Sequence, residues 1–312
     1  MRIILEHVTK NYGNVQGISN INLDIGRGIT GILGPNGAGK STTMKVILGL
    51  SRPSRGIVTV DGKNPFDDWK LKRIFGFVPE YDCFYEHMSG LEYVMYFLRM
   101  HDYKKEEAEK IARSALSELG LDDAIDRKIN TYSRGMRQKT KVARATVFDP
   151  DILIMDEPFQ GADPTTRILL MEKMTEWADR GKTILISSHI LQDIQSLTDN
   201  IALINNGKIL AHGNRHEIRD LINIPRPISI VPVETGNLRK LAKRLLDEKW
   251  TKSTSINEEK NELTVETTQT ENVYLEIPKI LQKEKITVEK IYSEDDSLDS
   301  LYAKLVEGYQ WR

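Results

Sequence analysis

Eight consecutive residues, Gly34-Pro35-Asn36-Gly37-Ala38-Gly39-Lys40-Ser41, follow the spacing GxxxxGKS between an apolar run, Ile29 to Leu33, and a helical stretch, Thr42 to Leu48, closed by Gly49. A strand, a glycine-rich turn and a helix start must therefore follow one another, which confines the fold to an α/β type. Glycine at 34, 37 and 39 lets successive backbone N–H groups point at phosphate oxygens, and the helix aims its positive end at the same charge. Lys40 is placed to reach β- and γ-phosphates, the Ser41 hydroxyl to ligate Mg²⁺, and Thr42 to donate to phosphate.

The chain has 312 residues, enough for one large core and a smaller second domain at about 150 residues each. Its 44 basic and 45 acidic residues leave a formal net charge of −1, so no global basic field points to nucleic acid or an anionic membrane surface. Cys83 is the only cysteine, which excludes an internal disulfide and fits a reducing cytosol. No run reaches the roughly 18 apolar residues of a membrane span, and the first residues, Met1 to Glu6, do not read as a signal peptide.

A second phosphate-site element is Asp151-Ile152-Leu153-Ile154-Met155-Asp156-Glu157-Pro158, a buried strand carrying two acids at its carboxyl end. In this Walker B pattern Asp156 holds the Mg²⁺ shell and Glu157 polarises an attacking water as general base. Between the two elements, Tyr132-Ser133-Arg134-Gly135-Met136 leads into a helix with Ser133 as its N-cap. Further on, Gln160-Gly161-Ala162-Asp163-Pro164 makes a turn with Pro164 opening a helix, and Thr183 to Ser188 is a buried strand followed by His189.

With these motifs, residues 1 to 222 resemble the ATP-binding cassette (ABC) ATPases. The resemblance implies a P-loop nucleotide-binding domain whose mixed sheet carries an antiparallel β subdomain and a helical subdomain at about 83–150. It makes Tyr132 to Met136 the signature motif, with Ser133, Gly135 and Met136 gripping the γ-phosphate of ATP on a second copy's P-loop. Gln160 to Asp163 is then the D-loop, with Asp163 counted among the nucleotide-contacting residues, and His189 the histidine that senses the γ-phosphate. Tyr12 stands where similar proteins stack an aromatic ring on adenine.

Two positions depart from the family pattern. In Phe75 to Glu80, which resembles the Q-loop, Glu80 replaces the usual glutamine. Its carboxylate either ligates Mg²⁺ through a charged oxygen or stays protonated or turned away until the site closes. Arg134 and Met136 replace glycine and glutamine in the signature, a variation similar to that of exporter cassettes whose permease is a separate chain; Arg134 adds a cation near the trans phosphate site.

From Phe84 to Phe97 aromatic residues crowd the chain, and Lys104 to Leu119 reads as an amphipathic helix with Ile111, Ala115, Leu116 and Leu119 on its apolar side. Most of these aromatics are expected to form the subdomain's own core, with a minority near 81–88 exposed for the membrane subunit that the resemblance implies. Past Ile222 the pattern βαββαβ plus a helix at Leu298 to Val306 suggests a small ferredoxin-like α+β domain over 223–312.

The resemblance implies an ATPase in which two copies, or this chain and a homologous cassette, close head to tail around two MgATP. They would drive a separate integral membrane permease, an exporter, from the cytoplasmic face, with no nucleic acid partner. A soluble ABC protein acting on ribosomes or DNA, and a nucleotide-gated binding module that hydrolyses poorly, remain as alternatives.

Overall fold

The computed structural model describes residues 1–214, 217–218, 226–234, 236–267 and 269–293. The chain divides into two compact units, Met1–Arg215 and His216–Arg312. The last strand of the first unit's sheet ends at Gly213.

Strands Ile3–Tyr12 (β1) and Val15–Ile25 (β2) pair antiparallel, and Arg55–Val60 (β4) pairs with the other edge of β1. Their alternating pattern buries one face, including Ile3, Leu5, Ile21, Leu23 and Val58. These side chains share a core with Met44, Val46 and Ile47 of the helix after the P-loop, Lys40–Ile47 (α1).

The central sheet comprises Gly28–Leu33 (β3), Phe75–Val78 (β5), Ile152–Met155 (β6), Thr183–Ser188 (β7), Ile201–Asn205 (β8) and Lys208–Gly213 (β9), in the order β5-β6-β7-β3-β8-β9. Every neighbouring pair is parallel except the β8–β9 hairpin. Every residue of β6, β7 and β8 is buried, in keeping with the apolar runs at 152–155, 184–186 and 201–204. Parallel pairing sends the ends of β5, β6, β7 and β3 to one edge, where Glu80, Asp156, Glu157, His189 and the P-loop leave the sheet.

Between β5 and β6 come three helices, Gly90–Met100 (α2), Lys105–Glu118 (α3) and Arg134–Thr146 (α4). Ser89 opens α2 through a capping box with Glu92. The buried stripe of α3 and its end is Ala108, Ala112, Leu116 and Leu119. Ile111 and Ala115, expected on that side, are half-buried at its border, because a period of 3.6 residues centres the face on 108, 112 and 116. Tyr93 is buried and Phe84, Met88, Met95 and Phe97 are half-buried, while Tyr81, Tyr85, His87 and Tyr96 are exposed. Two more helices, Pro164–Asp179 (α5) and Leu191–Gln195 (α6), flank β7 in sequence.

The second unit runs Arg226–Pro232 (β10), Asn237–Leu246 (α7), Thr251–Asn257 (β11), Glu262–Thr267 (β12), Thr270–Glu284 (α8) and Val288–Ser293 (β13). Its strands pair antiparallel in the order β11-β12-β10-β13, the split βαβ layer. Leu238, Leu241 and Leu245 of α7 pack with Ile228, Ile230, Leu263 and Val265. The helix expected at Leu298 to Val306 lies outside the described residues. Among those residues no helix is long and apolar enough to cross a membrane.

Candidate active site

The P-loop is shaped by what glycine alone permits. A Cβ on Gly34 would lie 2.3 Å from the Ile204 carbonyl oxygen, and Gly37 and Gly39 take φ of 79° and 110° in the left-handed region. Gly39 ends the loop as the N-cap of α1 without a side-chain hydrogen bond, and Thr43 N–H donates to the Gly39 carbonyl. The amides of Lys40, Ser41 and Thr42 precede that first helical bond, which is the anion-binding arrangement of a helix start. They line a cavity of about 470 Å³ with Pro35, Asn36, Ala38, Tyr12, Gly17, Glu80 and Glu157. Its size and amide-rich wall fit a nucleoside triphosphate.

At one side of this cavity the chain concentrates buried charge. The Lys40 ammonium donates to the carbonyls of Gly34 at 2.7 Å and Pro35 at 3.3 Å and lies 3.1 Å from Glu157 Oε1. That oxygen accepts no hydrogen bond, whereas Glu157 Oε2 is 2.9 Å from His189 Nδ1. Glu157 itself has φ of 48°, a left-handed conformation uncommon for a residue with a side chain. Ser187 holds this turn. Its hydroxyl donates to Asp156 Oδ1 at 2.7 Å and accepts the Glu157 N–H at 2.8 Å.

Glu80 faces the same cavity. Burial first, then the charges of Asp156 and Glu157, push its carboxyl above the ordinary range, against a smaller pull from Lys40 and His189. Lys141 of α4 grips its backbone, donating to the carbonyls of Pro79 and Glu80 at 3.1 Å each and lying 3.2 Å from Asp82. Among the described residues no group of three or more His, Cys, Asp or Glu forms a metal cage. Ser41, Asp156 and Glu80 supply hard oxygens of the kind Mg²⁺ takes when substrate phosphates complete its shell.

Tyr12 lines the cavity at 46% exposure, its hydroxyl 3.3 Å from Ser51 Oγ. Gly17 allows this placement, since a Cβ there would lie 3.0 Å from the Tyr12 ring and 3.2 Å from Thr42. Glycine inside a strand marks such a close approach, a signal available in the sequence.

The signature residues are not among those lining the P-loop cavity of the same chain. Ser133 caps α4 by accepting the Met136 N–H at 3.2 Å, and Asp163 caps α5 by accepting from Thr166 N–H and Oγ1 at 2.9 Å each. The two helix starts touch, because a Cβ on Gly135 would lie 2.5 Å from Asp163 Oδ2. The hydrogen bonds from Thr166 hold the Asp163 carboxyl below its ordinary pKa.

Motif reading passes over Ser187 and Lys141. Neither belongs to a spaced pattern, although a serine inside the buried Thr183–Ser188 strand requires a polar partner.

The ABC transporter family profile matches residues 18–160. Nod factor export ATP-binding protein I of Rhizobium meliloti is 34% identical over 220 residues, covering 70% of this chain but only 66% of that protein. ABC transporter ATP-binding protein NatA of Bacillus subtilis (strain 168) is 35% identical over 205 residues, 64% of this chain and 82% of NatA. Among solved structures, an ATP-binding subunit of an ABC transporter superposes with a TM-score of 0.64 at 29% identity, over 71% of this chain and 93% of its own. A dimeric bacterial ABC transporter cassette bound to ADP and Pi, in a post-hydrolysis state, gives a TM-score of 0.61 at 28% identity, over 68% and 98%.

Ser187→Ala removes the hydroxyl that pairs the Glu157 amide and the Asp156 carboxylate. Denaturant unfolding should show a loss of about 1–3 kcal/mol, the cost of leaving buried polar groups unpaired.

Proposed function

Because this chain belongs to the ABC transporter family of ATP-binding proteins, and so to the ABC ATPases, we propose that two copies close head to tail around two ATP, hydrolyse them and reopen to drive a separate membrane permease. The observation that carries the reading is the contact of Glu157 with both Lys40 and His189 beside the amide-lined cavity.

A triphosphate in the cavity draws the Lys40 ammonium from Glu157 toward the β- and γ-phosphates, because phosphate oxygens carry more charge than the carbonyls it now shares. This frees Glu157 Oε1, the oxygen without a hydrogen bond, to take the proton of the attacking water. As the water's oxygen bonds to the γ-phosphorus, the bond to the β–γ bridging oxygen breaks, giving ADP and phosphate. His189 holds the other oxygen of Glu157 and senses the γ-phosphate, and the Tyr12 ring stacks on adenine. Ser41, Asp156 and Glu80 would hold Mg²⁺, which when bound would supply charge neutralisation on the phosphates.

Ser133, Gly135 and Met136 lie apart from their own chain's cavity, so their helix start is available to the ATP of a second copy, with Asp163 beside it. A dimeric ABC cassette among the structural neighbours, with a TM-score of 0.63 at 28% identity, supports that arrangement. Export is supported by the likeness to the Nod factor export proteins. A permease has a candidate surface in the exposed Tyr81, Tyr85 and Tyr96. Nearby lies a cavity of about 540 Å³ lined by Lys72, Arg73, Phe97, Met100 and Arg144. Burial lowers the Arg144 pKa and its Nε has no hydrogen-bond partner, which favours an acidic group on whatever docks there. Such a subunit works peripherally, at the cytoplasmic face of the membrane.

Glu157→Gln should bind MgATP yet turn over slower by about 10²–10⁴, the usual cost of losing a general base, and should elute as a dimer with MgATP in gel filtration. Phosphate release near the unmodified rate would refute the base assignment. Glu80→Gln removes a charged metal ligand and should raise the Mg²⁺ concentration needed for half-maximal turnover; an unchanged requirement would remove Glu80 from the metal shell. Affinity purification from mildly solubilised membranes should recover a polytopic permease in comparable amount. Recovery with ribosomal or DNA-repair proteins instead would overturn the transport reading.

A further inference from the structure

Asp193 is a buried carboxylate, 3% exposed, four residues after His189 and outside every motif of the site. Its Oδ1 accepts from the Arg167 guanidinium of α5, and its Oδ2 accepts from Ser188 Oγ at 3.4 Å. Ser188 Oγ in turn accepts the Ile190 N–H at 2.9 Å, and the Ser188 carbonyl accepts the Gly34 N–H at 3.3 Å. Both neighbours of His189 are thus held by one hydroxyl that leans on Asp193. On its other side the Arg167 guanidinium lies over the buried ring of Phe159, 5.7 Å from its centre. Phe159 stands two residues after Glu157 in the turn that carries the base.

These contacts close a ring: Glu157 to Phe159 along the chain, Phe159 to Arg167, Arg167 to Asp193, Asp193 to Ser188, and His189 back to Glu157 at 2.9 Å. We propose that Arg167 and Asp193 are a positioning pair that sets His189 against Glu157, tying the histidine segment to the helix that follows the D-loop. This rests on the hydrolysis reading above and adds to it residues that touch neither nucleotide nor water. The pair has a physical reason to act together. A carboxylate this buried needs its cation, and the guanidinium is planar enough to stack on Phe159 while it donates to Asp193.

The decisive measurement is steady-state ATP hydrolysis by the full chain, with thermal unfolding alongside. Asp193→Asn and Arg167→Met should each lower kcat by about 10- to 100-fold, the scale of a misplaced catalytic group, with KM for ATP unmoved. Arg167→Met leaves a buried carboxylate unpaired and should also lower the unfolding midpoint, so kcat is read well below that temperature. Arg167→Lys, which keeps the cation, should recover part of kcat. In a His189→Ala background Asp193→Asn should add no further loss, because both changes act through the same side chain. Full kcat in Asp193→Asn, a kcat loss that adds independently to that of His189→Ala, or a loss that only follows a lowered midpoint would each overturn the proposal. Normal turnover by His189→Ala would sink it together with the histidine's role, while the Glu157→Gln defect reads the hydrolysis assignment separately.

Discussion

Three parallel strands, β6, β7 and β3, stand side by side in the central sheet, and their pairing is what assembles the site. Met155 pairs with Ile186 and Leu33 with Ser188, so the residues that leave each strand next emerge at one edge. Glu157, His189 and the P-loop are far apart in the chain, and only the hydrogen-bond register brings them within contact. Any change that shifted one strand would move the base, the histidine and the phosphate loop relative to one another.

At that edge the protein manages charge that burial makes costly. Lys40 and Glu157 are each about 6% exposed and neutralise one another, while Ser187 answers Asp156 and the backbone of Glu157. Glu80 is a group whose ionisation burial opposes first and the charges of Asp156 and Glu157 second. A metal cation shared by these oxygens would lower the same cost, a physical reason for an acid to be tolerated where similar proteins carry an amide. The helical insertion holds this region from the other side, through Lys141 on the backbone of Glu80 and the paired hydrogen bonds of Arg137 to Glu86 at 2.6 and 2.7 Å.

The phosphate loop, the apolar strand ending in Asp156 and Glu157, the helix capped by Ser133 and the helix opened by Pro164 were legible because each depends on neighbours in sequence. Local stereochemistry decides where glycine is needed and where a short polar side chain can cap. The same locality is not enough for α3, where spacing along the chain does not say which apolar residues pack inward. Ile111 stands at the rim while the smaller Ala108 and Ala112 are buried. In the second unit the alternation of strands and helices was readable, but their order β11-β12-β10-β13 was not, since pairing β10 between β12 and β13 is a choice among long-range partners.

What the sequence by itself determined is the phosphate chemistry and the family: the loop, the acids at a strand end and the helix starts are short-range patterns with few alternative meanings. Tertiary structure alone decided that Lys40 is shared with Glu157, that Ser187 bridges Asp156 and the Glu157 amide, and that Arg167 reaches Asp193. Those relations join residues tens of positions apart. They follow from burial, which forces each polar group in the interior to find a partner, and no spacing along the chain says which partner is near.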